Sequence, residues 1–170
     1  MLKILIVEDD RQLATTLQYL VEDNPRYRVV GLAEDAETAA AVAYREEPDL
    51  ALIDLHLARG TTGFSVAAHL NGHGVPCLFV TGKSPGFPMP DLALGCLLKP
   101  FTGDDVRRAL ATAEDLMRGR ETLRPRMPKN LTFYETEEEP ASAQGVQESR
   151  VPQRRSLTSR LSAWIAGTAH

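Results

Sequence analysis

Glu8, Asp9, Asp54, Thr81 and Lys99 lie far apart in the chain, yet each stands at the C-terminal end of a short apolar run. Three carboxylates brought to one place repel and raise one another's pKa unless a cation joins them. A hard divalent ion with oxygen ligands, Mg²⁺, is the natural partner, because it keeps several waters and uses one or two carboxylates plus a phosphate. An ammonium supplies a point charge for an anion, and a threonine hydroxyl supplies a hydrogen bond. Acids, a metal, a hydroxyl and an ammonium around one spot describe a phosphoryl-transfer site. Taken singly, each residue has a plainer reading: loop-solvated acids or caps at 8–9, a surface ion pair at Lys99, strand filler at Thr81. The inference rests on their convergence.

The elements that would bring them together follow from hydrophobic pattern. Residues 2–7, 28–33, 49–53, 75–80 and 94–98 read as buried strands, being short apolar runs bounded by polar or helix-breaking residues. Between them, Leu13, Leu17, Leu20 and Val21 recur at helical spacing behind Asp10, which sits where an N-cap belongs. An alanine-rich helix over 35–47 stops before Pro48. A third helix from Phe64 would bury Phe64, Ala67 and Ala68. A last one opens on Thr102-Gly103-Asp104-Asp105, a capping box with Asp in place of Glu, and turns Val106, Leu110, Ala113 and Met117 inward. Strands alternating with helices imply an α/β fold: a flavodoxin-like, doubly wound, five-stranded parallel sheet of order 2-1-3-4-5. In such sheets ligands bind at the carboxyl ends of the strands, where the five residues fall. Residues 83–91 hold Pro85, Gly86, Pro88 and Pro90, so the fourth crossover is expected to be a stub or a loop, with the fourth helix shortened or absent.

Composition agrees. The 170 residues are 43% hydrophobic and 25% charged, as in a globular protein. No apolar run is long enough to span a membrane and residues 1–7 are too short for a signal peptide, so the expected location is the cytoplasm. Cys77 and Cys96 lie in apolar surroundings and are expected to be buried and reduced. Residues 1–122 carry 12 basic against 18 acidic side chains, which argues against nucleic-acid binding through phosphate neutralisation.

The series Ile-Leu-Ile-Val-Glu8-Asp9-Asp10, Leu-Ile-Asp54, Val80-Thr81-Gly82 and Lys99-Pro100-Phe101 resembles the receiver domain of two-component response regulators over about residues 1–120. The resemblance implies that Asp54 is the phosphoacceptor, taking its phosphoryl group from a histidine kinase or a histidine phosphotransfer protein. It implies Mg²⁺ held by Glu8, Asp9, Asp54 and the backbone carbonyl of His56, with Thr81, Gly82 and Lys99 around the phosphoryl oxygens. Pro76-Cys77-Leu78-Phe79-Val80-Thr81-Gly82 also resembles the single-domain "FAT GUY" receivers of alphaproteobacteria in its Phe-x-Thr-Gly core. The departures are specific. Loop 58–63 is a residue longer than the family's and lacks its proline. Cys96 stands at the switch position, three residues before the lysine, where the family carries an aromatic.

Beyond Arg120 the composition changes. Residues 121–155 read as a Pro- and Glu-rich linker, largely disordered, within which Leu131-Thr132-Phe133-Tyr134 is a candidate for docking as a short extended piece. Residues 156–166 place Leu157, Leu161, Trp164 and Ile165 on one face of a short amphipathic helix. Its candidate occupants are the receiver itself, a partner groove and, third, a membrane surface. The expected function is a single-domain response regulator that signals by contact with an unknown protein partner or acts as a phosphate sink. It would be an enzyme only in its own phosphorylation and dephosphorylation. The alternatives are an adaptor that works without phosphorylation and a small Mg²⁺-dependent phosphatase. The latter would want an acid two residues after the nucleophile, where His56 stands.

Overall fold

The computed structural model describes residues 1–58, 60–120 and 127–134. Arg59, most of the expected linker and the expected terminal helix at 156–166 lie outside the described residues. The elements run β1 (Leu2–Val7), α1 (Arg11–Glu22), β2 (Tyr27–Ala33), α2 (Ala36–Glu46), β3 (Leu50–Ile53), α3 (Gly63–Gly72), β4 (Cys77–Thr81), β5 (Gly95–Leu98), α4 (Gly103–Met117) and β6 (Leu131–Phe133). The sheet order is β2-β1-β3-β4-β5-β6, parallel throughout except for the β5–β6 pair.

The central strands are apolar apart from Lys3 near the start of β1 and Thr81 at the end of β4, because both faces are covered. α1 and α4 pack on one face over Ile4, Ile6, Leu52, Leu78 and Val80, while α2 and α3 close the other over Leu5, Val7, Ile53 and Phe79. The helix starts follow local chemistry. Asp10 Oδ1 accepts from the Gln12 and Leu13 amides at 2.9 and 3.0 Å, and Thr102 and Asp105 cap each other reciprocally. Among the described residues no helix is long and apolar enough to cross a membrane.

Two expectations are revised. The sheet has six strands, because β5 would otherwise leave a bare edge of unpaired backbone groups, and Leu131–Phe133 covers it antiparallel. Ala68 is exposed, and Val66 and Leu70 take the inner face of α3 with Ala67. Every position of Phe64-Ser65-Val66-Ala67-Ala68 is small or apolar, so pattern alone leaves the helix phase open. The fourth crossover is a loop, as the prolines require. Its one turn has the Leu92 and Ala93 amides on the Met89 carbonyl, and the Asn71 side chain fastens it at the Leu92 carbonyl. Both cysteines are free and buried.

Candidate functional site

The carboxyl ends of β1, β3, β4 and β5 meet at one edge of the sheet. Because β1 and β3 are parallel neighbours with Val7 opposite Ile53, the residues that follow them, Glu8 and Asp54, emerge side by side. Thr81 closes β4, and Lys99 follows β5, with its amide on the Thr81 carbonyl at 2.9 Å. The Lys99–Pro100 peptide is cis.

The polar groups are buried together. Glu8 is 6% exposed, Asp54 7% and Thr81 0%, so each must find its partners inside the protein. Lys99 Nζ lies 2.7 Å from Glu8 Oε2 and 2.7 Å from Asp54 Oδ2, bridging the two. Asp54 Oδ1 accepts the His56 amide at 3.1 Å, and Asp9 Oδ2 accepts the Ala58 amide at 3.0 Å. Burial alone would raise the pKa of Asp54. The Lys99 ammonium, the His56 N–H and the Thr81 hydroxyl outweigh it and hold the carboxyl below its ordinary value. Glu8 goes the other way: burial, reinforced by the Asp54 charge, lifts it despite Lys99. Burial would lower Lys99, but hydrogen bonds and charge from both acids raise it.

Glu8, Asp9 and Asp54 can each present an oxygen within 4.8 Å of the others. Three carboxylates share one ammonium, so the cluster carries excess negative charge in a half-closed site. The donors are all hard oxygens. That set fits a hard divalent cation and fits no soft metal, since neither cysteine is near it.

Of the sequence-predicted residues, Glu8, Asp9, Asp54, Thr81 and Lys99 are brought together, and Gly82 is exposed directly after Thr81. His56 follows Asp54 as expected, but its ring does something the sequence does not announce: Nδ1 lies 3.3 Å from Thr81 Oγ1. Cys96 lies buried on β5, with its thiol pushed up to about 11 by burial. Gly63 also belongs to the site. A Cβ there would stand 2.1 Å from the Asp54 carbonyl oxygen and 2.6 Å from Leu55 Cα, so only glycine lets the start of α3 lie against the Asp54 backbone. Its signal in the sequence is the glycine that ends loop 58–63.

The model of the response regulator receiver domain matches residues 4–111. Among curated proteins, the chain is 28% identical over 133 residues to the transcriptional regulatory protein YdfI of Bacillus subtilis, covering 76% of this chain and 61% of YdfI. Among solved structures it resembles the signal receiver domain of a modulated diguanylate cyclase from Desulfovibrio desulfuricans G20. There the TM-score is 0.58 at 32% identity, over 65% of this chain and 91% of that one. It also resembles the PhyR response regulator REC domain of Erythrobacter litoralis, with TM-score 0.59 at 25% identity, over 73% and 95% of the two chains.

Proposed function

The chain belongs to the response regulator receiver domain family, and from that premise we propose that it accepts a phosphoryl group on Asp54 from a histidine kinase or a histidine phosphotransfer protein. The observation that carries the reading is the Lys99 ammonium held 2.7 Å from both Glu8 and Asp54. An aspartate kept ionised, backed by a cation and facing a cluster able to bind Mg²⁺, is a nucleophile prepared for phosphorus. One Asp54 oxygen attacks, a P–O bond forms, and the donor's P–N bond breaks with the electron pair leaving on the imidazole nitrogen, which is then protonated.

Glu8, Asp9, Asp54 and the His56 backbone carbonyl are the residues that would hold Mg²⁺, which supplies charge neutralisation at the phosphoryl oxygens. Lys99 turns from the carboxylates to one phosphoryl oxygen. The Thr81 hydroxyl exchanges His56 for a second, with the Gly82 amide beside it. Water later hydrolyses the acyl phosphate. The signal is read by protein contact, and the chain reaches its partners without entering nucleic acid.

An adaptor that works without phosphorylation is the second reading. It is favoured by Cys96 at the position where the family's aromatic relays the change at the threonine. Incubation with acetyl phosphate and Mg²⁺, followed by a phosphate-affinity gel, separates the two. The acceptor reading requires a shifted band that needs Mg²⁺ and disappears in Asp54→Asn. An unshifted wild type supports the adaptor.

A further inference from the structure

The residues on either side of Lys99 are held by a side chain from the segment just before β6, Asn130. The Leu98 amide donates to the Asn130 carbonyl at 2.7 Å, and Asn130 Nδ2 lies 3.2 Å from the Leu98 carbonyl oxygen and 3.3 Å from that of Pro100. Asn130 therefore brackets Lys99, bonding the peptide groups on both sides of it, while the Lys99 amide itself is held by Thr81. The same side chain reaches Asp105 Oδ2 at 3.3 Å and so ties the bracket to the cap of α4.

The edge of β5 is shaped for the strand that delivers Asn130. A Cβ at Gly95 would stand 2.3 Å from the Thr132 carbonyl oxygen and 2.8 Å from Phe133 Cα, a separation no side chain tolerates. Leu131 is 4% exposed and joins the core beneath α4, and the Tyr134 amide donates to the Leu94 carbonyl at 2.8 Å. Tyr134 packs against the cluster that contains Cys96. β6 is thus seated from Leu94 to Pro100, along the whole of the strand that ends in the phosphoryl-binding lysine.

We propose that Asn130 is a positioning residue for Lys99, and that seating of β6 on β5 is coupled through it to phosphoryl acceptance at Asp54. This rests on the acceptor reading of Asp54 given above. Lys99 has to leave Asp54 and Glu8 for a phosphoryl oxygen while its backbone stays in place. The Asn130 bracket fixes that backbone at Leu98 and Pro100, so the side chain alone turns. Without β6 those peptide groups lose their partner and the ammonium loses its fixed origin. Coupling is reciprocal, so a filled phosphoryl site must in turn hold β6 more firmly.

The test uses the full chain, with label from acetyl phosphate and Mg²⁺ as the rate and the Mg²⁺ dissociation constant from calorimetry as the control. Asn130→Leu keeps the volume and removes the donors. Its phosphorylation should slow on the order of tenfold, as for a displaced catalytic group, with Mg²⁺ affinity changing far less, because Glu8, Asp9 and Asp54 are positioned by β1 and β3, which Asn130 does not touch. Gly95→Val should reach the same defect by unseating β6 without altering Asn130. In the wild type, Mg²⁺ with beryllofluoride should slow hydrogen exchange at the Leu98 and Tyr134 amides. Wild-type labelling in both variants overturns the inference while leaving Asp54 as acceptor. Loss of Mg²⁺ affinity in step with rate also overturns it, by showing a general loosening. A wild type that takes no label removes the acceptor reading and this inference together.

Discussion

The His56 imidazole holds the Thr81 hydroxyl, Nδ1 to Oγ1 at 3.3 Å, across the mouth of the acidic site. The threonine is thus engaged with the residue two positions after Asp54, and under the proposed phosphorylation of Asp54 it leaves that partner to meet a phosphoryl oxygen. His56→Phe keeps an aromatic ring in place and removes the bond. A hydrogen bond of about 1 kcal/mol corresponds to about a fivefold change in the equilibrium, so phosphorylation from acetyl phosphate should accelerate by up to about that factor. A time course of the gel-shifted band checks it.

Gly63 sets the distance between α3 and the Asp54 backbone. Its missing Cβ would fall 2.1 Å from the Asp54 carbonyl oxygen, against backbone that has no rotamer to yield. Gly63→Ala should destabilise the fold by on the order of 1–3 kcal/mol, as overpacking does. It should also lower phosphorylation by displacing Asp54. Urea denaturation and the same labelling assay measure the two effects, while Gly72→Ala, in open space, serves as the control that changes neither site nor packing.

The frame of the site was legible because its parts are local. The apolar runs before Glu8, Asp54, Thr81 and Lys99 are strands by length and pattern, and parallel order then forces their ends together. The Asp10 and Thr102 caps were legible for the same reason. What the sequence could not announce depends on closure between segments. The His56 ring meets Thr81 only once the loop after Asp54 folds back, pairing His56 with Thr62. Asn130 reaches the Leu98 and Pro100 carbonyls, either side of Lys99, only because β6 finds the bare edge of β5. The phase of α3 was hidden by the small and apolar residues at its start, and with Val66, Ala67 and Leu70 turned inward Ala68 faces out.

The two buried carboxylates of the site, Glu8 and Asp54, respond to pH with opposite signs. Glu8 has its pKa raised above its ordinary 4.5 by burial, so its ionised form is disfavoured in the fold. In the metal-free protein its contribution to stability grows as pH falls through the raised value and is complete below 4.5. Asp54 is lowered from 3.8, so its contribution is present above 3.8 and is lost as pH falls through its depressed value. Glu8→Gln should therefore raise Tm near neutral pH without Mg²⁺, flatten the pH dependence above 4.5, and weaken the Tm rise that Mg²⁺ produces in the wild type. Thermal melts across the acid range with and without Mg²⁺ check all three.

Far from the site, Glu114 is 3% exposed and joins α4 to the start of β2, with Oε2 on Arg26 at 2.5 Å and on the Tyr27 hydroxyl at 3.2 Å, and Oε1 on Arg118 at 2.9 Å. The arginines reach solvent, but the Tyr27 hydroxyl does not, and burial with the Glu114 charge pushes it up to about 12. Glu114→Ala strands that hydroxyl and should cost about 1–3 kcal/mol. Chemical denaturation should record that loss while the labelling rate at Asp54 stays at the wild-type level.

The role proposed for Lys99, bridging Asp54 and Glu8 at rest, requires that Asp54 itself carry the phosphoryl group. Reduction with borohydride converts an aspartyl phosphate to homoserine and leaves a free carboxylate untouched. The protein, treated with acetyl phosphate and Mg²⁺, is reduced, digested and sequenced by tandem mass spectrometry. Homoserine at position 54, absent without Mg²⁺, is the predicted result. Homoserine at Asp9 or another acid, or none in a protein that binds Mg²⁺, would contradict it.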